Sequence, residues 1–291
     1  MTNLILFVST VLIWGTTWIA IAFQVGEVPL VVSVFYRFAL AGFVFLAGLA
    51  LVGKLKRPLV WRFVFVQALC LFSFNFIAFY NATALMASGL VSVVFSLASI
   101  FNALNARLFF GEKIELRTIV AGLIGVGGLV LLFWRDIFGE LNWDVLTGIL
   151  WATGGTILFS LGNMASRRNS FEGVSPLIAN SWGMGIGALV LLAIIFVTGT
   201  PLILVTTQSY LLALAYLAVV GSVIGFTTYF MLVARIGSAR AGYATVVFPI
   251  VALLASTMFE GYQWHWSAIV GIGLTMVGNL VMFAPRRKRS I

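Results

Sequence analysis

The sequence predicts an all-α polytopic membrane fold: ten transmembrane helices forming two inverted five-helix repeats around a central cavity, with both termini cytoplasmic. Three observations lead there. Of the 291 residues, 62% are apolar and 9% charged, and the mean hydropathy is +1.13; a soluble domain carries about 25% charged residues. The basic residues fall in alternate loops. The second half of the chain repeats features of the first, in the same order, at an offset near 150 residues.

A spanning helix needs about 20 apolar residues, and ten runs meet that length: 4–23, 30–52, 63–81, 89–110, 118–134, 145–165, 174–197, 210–233, 242–259 and 266–284. The first has neither a basic leading segment nor a small-residue cleavage site, so it is expected to be a retained helix and not a signal peptide. The second follows Pro29 and contains Arg37, the one charge well inside a run. The ninth contains Pro249 and ends at Glu260. A proline there removes a hydrogen bond and crowds the preceding turn, which membrane helices tolerate where neighbours or a cavity satisfy the freed carbonyl. The connections are short, and the break between halves falls near residue 140, giving repeats over 1–140 and 141–291.

Charge placement tests the count independently. With both termini on one side, the loops after runs two, four, six and eight, with the tail, hold 15 of the 17 basic residues. These include Lys54, Lys56, Arg57 and Arg62, then Arg107, Lys113 and Arg117. Arg167 and Arg168, Arg235 and Arg240, and the tail Arg286, Arg287, Lys288 and Arg289 complete the set. The opposite loops carry Glu27, Asp136, Glu140, Asp144 and Glu260. The positive-inside rule then puts both termini in the cytoplasm. An odd number of spans would scramble the alternation. The net charge of +9 is explained by this topology, and nucleic acid is not an expected partner.

Within the repeat, Ala84 falls on Ala234, Ser99 on Pro249, and Gly128–Phe133 on Gly278–Phe283; Trp14 and Thr16 match Trp151 and Thr153, and Pro29-Leu30 matches Pro176-Leu177. Five helices per half is an odd number, so the halves must enter the bilayer from opposite sides. Such inverted repeats are common in secondary transporters, whose sites lie near the midplane between the halves.

Several stretches resemble a known family: I-W-G-T-T-W at 13–18, P-L with Y-R-F across 29–38, A-L-M-A-S-G-L at 84–90 and F-F-G-E-K at 109–113. F-P-I-V-A-L-L-A-S-T-M-F-E-G-Y-Q-W at 248–264 and G-I-G-L-T-M-V-G-N at 271–279 complete them. Together they resemble the drug/metabolite transporter superfamily in its ten-helix, EamA-like branch. The last two are most similar to the bacterial aromatic amino acid exporters of the YddG type. The resemblance implies export of amino acids, aromatic ones first, across the bacterial inner membrane. The family often has proline where this chain has Ser99, so the first-half wall is expected to be less kinked than its partner.

The residues themselves point to a lined path. Ser88, Ser92, Phe95, Ser99, Asn102 and Ala106 form a stripe on the fourth run. Gly242, Thr245, Pro249, Ala252, Ser256 and Glu260 form one on the ninth. Residues three and four apart share a helix face, and small or weakly polar groups there line a wet path or let helices pack closely. Trp14, Thr17 and Trp18 on the first run, with Trp151, Phe159 and Asn163 on the sixth, lie deep enough to wall a small-molecule site. Tyr80 and Asn81 end the third run, and Tyr229 and Tyr243 flank the loop before the ninth. The expected substrate-binding set is these ten with Phe95, Ser99, Thr245 and Pro249. Arg37 is expected to be structural, bonding helix carbonyls or snorkelling outward, with attraction of a carboxylate as its alternative. Glu112 and Glu260 are expected to hold loops or pair with neighbours such as Lys113.

Several chemistries are excluded. One cysteine, Cys70, allows no intrachain disulfide, and one histidine, His265, allows no His-rich metal site. No P-loop, HExxH or paired-aspartate motif occurs, so neither an enzyme nor an ATP-driven pump is expected, and no cofactor. No acidic residue lies deep within a run, which removes the usual carboxylate proton relay. The expected activity is facilitated diffusion of an amino acid by alternating access, through a monomer whose only other partner is the lipid bilayer. Export of organic cations or other small metabolites, or proton-coupled antiport, is the alternative.

Overall fold

The computed structural model describes residues 2–139, 141–236, 241 and 243–283, and all regular structure among them is helical. The helices are α1 (Thr2–Ala22), α2 (Leu30–Leu51), α3 (Arg62–Leu85), α4 (Ser88–Phe110) and α5 (Leu116–Leu132). They continue as α6 (Trp143–Phe171), α7 (Pro176–Thr198), α8 (Gln208–Val233), α9 (Tyr243–Phe259) and α10 (Trp266–Phe283). Glu140, Arg240, Gly242 and the basic tail Arg286, Arg287, Lys288 and Arg289 lie outside the described residues.

Among the described residues, seven of these helices are long and apolar enough to cross a membrane; α5, α9 and α10 are apolar but shorter. A helix of the 17 residues of α5 or α9 rises about 25 Å, close to the roughly 30 Å of hydrocarbon in a bilayer. Helix α6 runs six residues past its apolar stretch, to Phe171, because S-R-R-N-S continues the helix where hydrophobicity no longer requires it.

Local chemistry sets the ends. Asn142 caps α6, its Oδ1 accepting from the backbone N–H groups of Asp144 and Val145 at 3.1 and 3.2 Å. Ser175 caps α7 with Pro176 in the first turn. Helices α4 and α9 each stop at a left-handed glycine, Gly111 (φ 68°) and Gly261 (φ 69°), 150 positions apart; a side chain there would be strained.

The first wall, expected to be less kinked than its partner, is the one whose helix is interrupted. Helix α4 breaks at Ser96–Leu97, where Ser96 N–H bonds Val93 O and Leu97 N–H bonds Val94 O, both at 3.1 Å. The serines substitute for a proline: Ser92 Oγ donates to Gly89 O at 2.5 Å, and Ser96 Oγ to Val93 O at 2.6 Å. Hydroxyls that back-bond to the preceding turn compete with the helical ladder and bend it. Helix α9 continues through Pro249.

Three helix pairs join the first five helices to the last five: α2 with α7, α4 with α9, and α5 with α10; α1 packs on α8 and α9, and α6 on α3 and α4. In each of these three pairs a glycine meets backbone. A Cβ on Gly42 would lie 2.9 Å from Gly185 N, one on Gly89 2.8 Å from Leu253 Cα, and one on Gly128 2.5 Å from Gly271 O. Lipid supplies no hydrophobic drive between helices, so contact depends on this closeness. Gly271→Val should therefore lower the unfolding free energy by about 1–3 kcal/mol, read as a lower apparent unfolding temperature in detergent. Gly273→Ala, with nothing within 4 Å of the added Cβ, should leave it unchanged.

Candidate functional site

Two adjoining cavities lie between the helices. The larger, of about 840 Å³, has the exposed Glu112 and Lys113 at its rim, with Arg117 and Arg167, and reaches inward to Trp14, Phe159 and Phe226. The smaller, of about 50 Å³, lies beyond those same three side chains and is otherwise lined by groups such as Trp18, Phe79, Phe95 and Phe248, with Arg37 and Asn75.

Aromatic packing closes the inner end. The Trp18 ring centroid lies 5.3 Å from Phe79, 5.7 Å from Phe95 and 6.4 Å from Phe248, the last stacked at 17°. Phe95 also meets Phe159 at 4.7 Å. A polar knot lies beyond. Glu260, at the end of α9, accepts from Ser88 N–H (3.1 Å), Ser88 Oγ (2.6 Å) and Ser256 Oγ, while Gly89 N–H donates to Ser256 Oγ at 2.7 Å. The carboxylate thus sits at the N-terminus of α4, where unpaired N–H groups favour negative charge. Glu260 is therefore a clasp between α4 and α9, more than the loop holder expected. Glu112 pairs with Arg167 at 2.5 Å, and not with Lys113.

Of the expected site residues, Trp14, Thr17, Trp18, Phe95 and Phe159 line the inner cavity. Ser99, Asn163, Tyr229 and Thr245 line the larger one. Several hold one another in place. Ser99 Oγ donates to Asn279 Oδ1 on α10 at 2.7 Å, Asn163 Nδ2 donates to Asn102 Oδ1 at 3.2 Å, and Tyr229 lies 4.8 Å from Trp14. The other five line neither cavity. Tyr80 is fully buried and donates to Gln24 Oε1 at 2.7 Å. Asn81 Nδ2 bonds Ile77 O of its own helix at 2.7 Å. Pro249 is buried within α9, and Tyr243 is half-buried at its start.

Trp151 needs a correction: it is 42% exposed and belongs to neither cavity wall. Phe159 takes the position across from Trp14. Eight residues separate the two, which is about 80° beyond two full turns, enough to swing Trp151 to the outer surface. Arg37 is a second correction. At 2% exposure it does not snorkel, and its Nε donates to Ser222 Oγ at 3.2 Å. Asn75, Phe79, Phe226 and Phe248 were not foreseen in the lining. Phe226 had a usable signal, one turn before Tyr229 on the same helix face.

A cavity open at one end and clasped at the other, between helices from both halves of a multi-pass membrane protein, is what a transporter of small molecules needs. The sequence comparisons agree: the EamA-like transporter family profile matches residues 1–134 and again 146–284, so the chain belongs to that family. The relatives include the protein PagO of Salmonella typhimurium, 25% identical over 94% of this chain and 93% of its own length. The uncharacterized inner membrane transporter YedA of Escherichia coli K12 is 28% identical over 86% and 80%. A solved crystal structure shares the fold with a TM-score of 0.69 at 20% identity, covering 96% of this chain and 95% of its own. The protein is a membrane transporter and not an enzyme.

The clasp yields a prediction. Glu260→Ala leaves Ser88 N–H and two hydroxyls without their acceptor, a cost of about 2–3 kcal/mol, or roughly 30- to 150-fold in the closed population. A cysteine at Ile21, in a Cys70→Ser background, should then react faster by a similar order with an impermeant maleimide applied from the Glu260 side. Unchanged labelling would show that the clasp does not hold that end shut.

Proposed function

We propose that this transporter exports amino acids with aromatic and other apolar side chains across the bacterial inner membrane. It acts as a monomer, by alternating access, driven by the substrate's own gradient. The observation that carries this reading is the aromatic lining shared by the two cavities, at Trp14, Phe159 and Phe226. Apolar and aromatic walls with a few convergent polar groups suit a small amphipathic solute. The relative named as an inner membrane transporter supports the location.

Packing supports two inverted five-helix repeats, 1–140 and 141–291, within ten spans. Exchanging α1–α5 for α6–α10 turns the α1–α9 contact into α6–α4 and the α1–α8 contact into α6–α3, and both occur. Helices α3 and α8 each contain a π-helical stretch in which a serine reaches back five residues: Ser73 Oγ to Ala68 O at 3.1 Å, Ser222 Oγ to Leu217 O at 2.8 Å. On this reading both termini are cytoplasmic, so the rim bearing Lys113, Arg117 and Arg167 faces the cytoplasm and the cavity opens inward. Rocking of one half against the other would part the Trp18 cluster and the Glu260 clasp. Among the described residues, no acidic side chain lines the inner cavity, which favours movement down the gradient over proton antiport.

Purified protein in liposomes without a pH gradient should equilibrate labelled phenylalanine and tryptophan. Flux that appears only under an imposed proton gradient would overturn the uncoupled reading. In the same assay Trp14→Ala should slow phenylalanine by about ten-fold or more, while Trp151→Ala, on the outer surface, should stay within about two-fold of the unsubstituted protein.

A further inference from the structure

The inner cavity contains one charge, and that charge is not neutralised. Arg37 forms no salt bridge among the described residues, and its second terminal nitrogen, Nη1, has no hydrogen-bond acceptor. Its guanidinium lies over two rings, 4.3 Å from the Phe76 centroid and 5.4 Å from Phe38. Ring faces attract the cation but accept little from its N–H groups. The Tyr80 hydroxyl accepts from the guanidinium while donating to Gln24, which leaves Nη1 as the nitrogen without an acceptor. The fully buried Asn75 has neither its Nδ2 nor its Oδ1 bonded. Arg37 and Asn75 line the same cavity.

Buried charges and amides ordinarily have partners. The fold does not require a charge here. The offset that places Pro29-Leu30 on Pro176-Leu177 places Arg37 on Met184, which is apolar and fully buried. The same packing position is thus filled without charge in the second half. The first half retains a guanidinium in the cavity wall and leaves its Nη1 short of an acceptor.

We propose that Arg37 and Asn75 form a carboxylate-binding subsite, whose ligand is a small carboxylate with an aromatic or apolar body. This rests on the transport reading only for its choice of cavity. Once the two side chains turn toward the space, a carboxylate oxygen accepts from Arg37 Nη1 and from Asn75 Nδ2, and charge-assisted bonds of this kind are the strong ones. Asn75 Oδ1 remains to accept from an ammonium hydrogen where the ligand has one. The 50 Å³ of space admits on the order of one or two water-sized groups, so it takes the carboxylate end. The body lies in the larger cavity, past Trp14 and Phe159. A guanidinium at this point repels organic cations.

The test uses two probes with one body, 3-phenylpropionate and 3-phenylpropan-1-ol, binding to the full-length protein in nanodiscs, read by tryptophan fluorescence and calorimetry. The acid should bind about ten-fold or more tightly than the alcohol. Arg37→Met should remove that preference and leave the alcohol within about two-fold; Arg37→Lys should restore part of it. If Arg37→Met does not fold, Asn75→Leu takes its place and should weaken the acid alone by about ten-fold. Equal affinities, no acid binding, or an acid preference that survives substitution overturns the subsite. Phenylalanine flux measured on the same preparations separates the two readings. Arg37-dependent acid binding without flux sinks the exporter and keeps the subsite; flux indifferent to Arg37 does the reverse.

Discussion

Backbone touches backbone where α2 meets α7, α4 meets α9 and α5 meets α10, and the rest of the structure depends on it. Gly42, Gly89 and Gly128 each occupy a point where a Cβ would meet main-chain atoms of the facing helix within 3 Å. In hydrocarbon no solvent drives helices together, so dispersion and direct polar contact must do so, and both fall off steeply with distance. Only the closeness at Gly89 lets its N–H reach Ser256 Oγ at 2.7 Å, and that contact brings Glu260 to the start of α4. The clasp, the aromatic plug beneath it and the one-sided cavity all follow from how near α4 and α9 can come.

The protein keeps its polar groups in two different conditions. At the clasp, and where Ser99 and Asn279 join α4 to α10, donors and acceptors are matched, as low-dielectric surroundings demand. In the inner cavity they are not. Arg37 and Asn75 have open valences among phenyl rings. Unbonded buried atoms also occur outside the cavity, at Gln24 Nε2, Asn169 Oδ1 and Asn180 Nδ2, but each of those residues makes another side-chain hydrogen bond, whereas neither polar atom of the Asn75 amide has one.

The break in α4 bears on motion. A bend made by proline is permanent, because the ring removes the N–H for good. At Ser96–Leu97 every N–H remains, shared between alternative carbonyls: Ser96 N–H lies 3.1 Å from both Ser92 O and Val93 O. Helix α4 can straighten at such bifurcated bonds by re-forming the helical ladder, whereas α9 lacks the Pro249 N–H in any shape it takes. The two walls of the path are therefore mechanically unlike, although they share a stripe.

Hydrophobic length and the positions of glycine and basic residues determined the helices and the family. The run 30–52 became α2 (Leu30–Leu51) and 89–110 became α4 (Ser88–Phe110), because a bilayer's thickness and its demand for satisfied backbone act on any apolar stretch, whatever its neighbours. Part of the site was equally legible: Trp14, Trp18 and Phe95 were readable from depth and helical spacing. Only tertiary structure decided which face of each helix turns inward. That choice put Phe159 where Trp151 was expected, turned Glu260 into a clasp and made Arg37 a charge facing a cavity. The physical reason is that spacing along one helix fixes which residues share a face. What that face meets, lipid, a partner or an empty space with no acceptor in it, is settled by other helices far away in the chain.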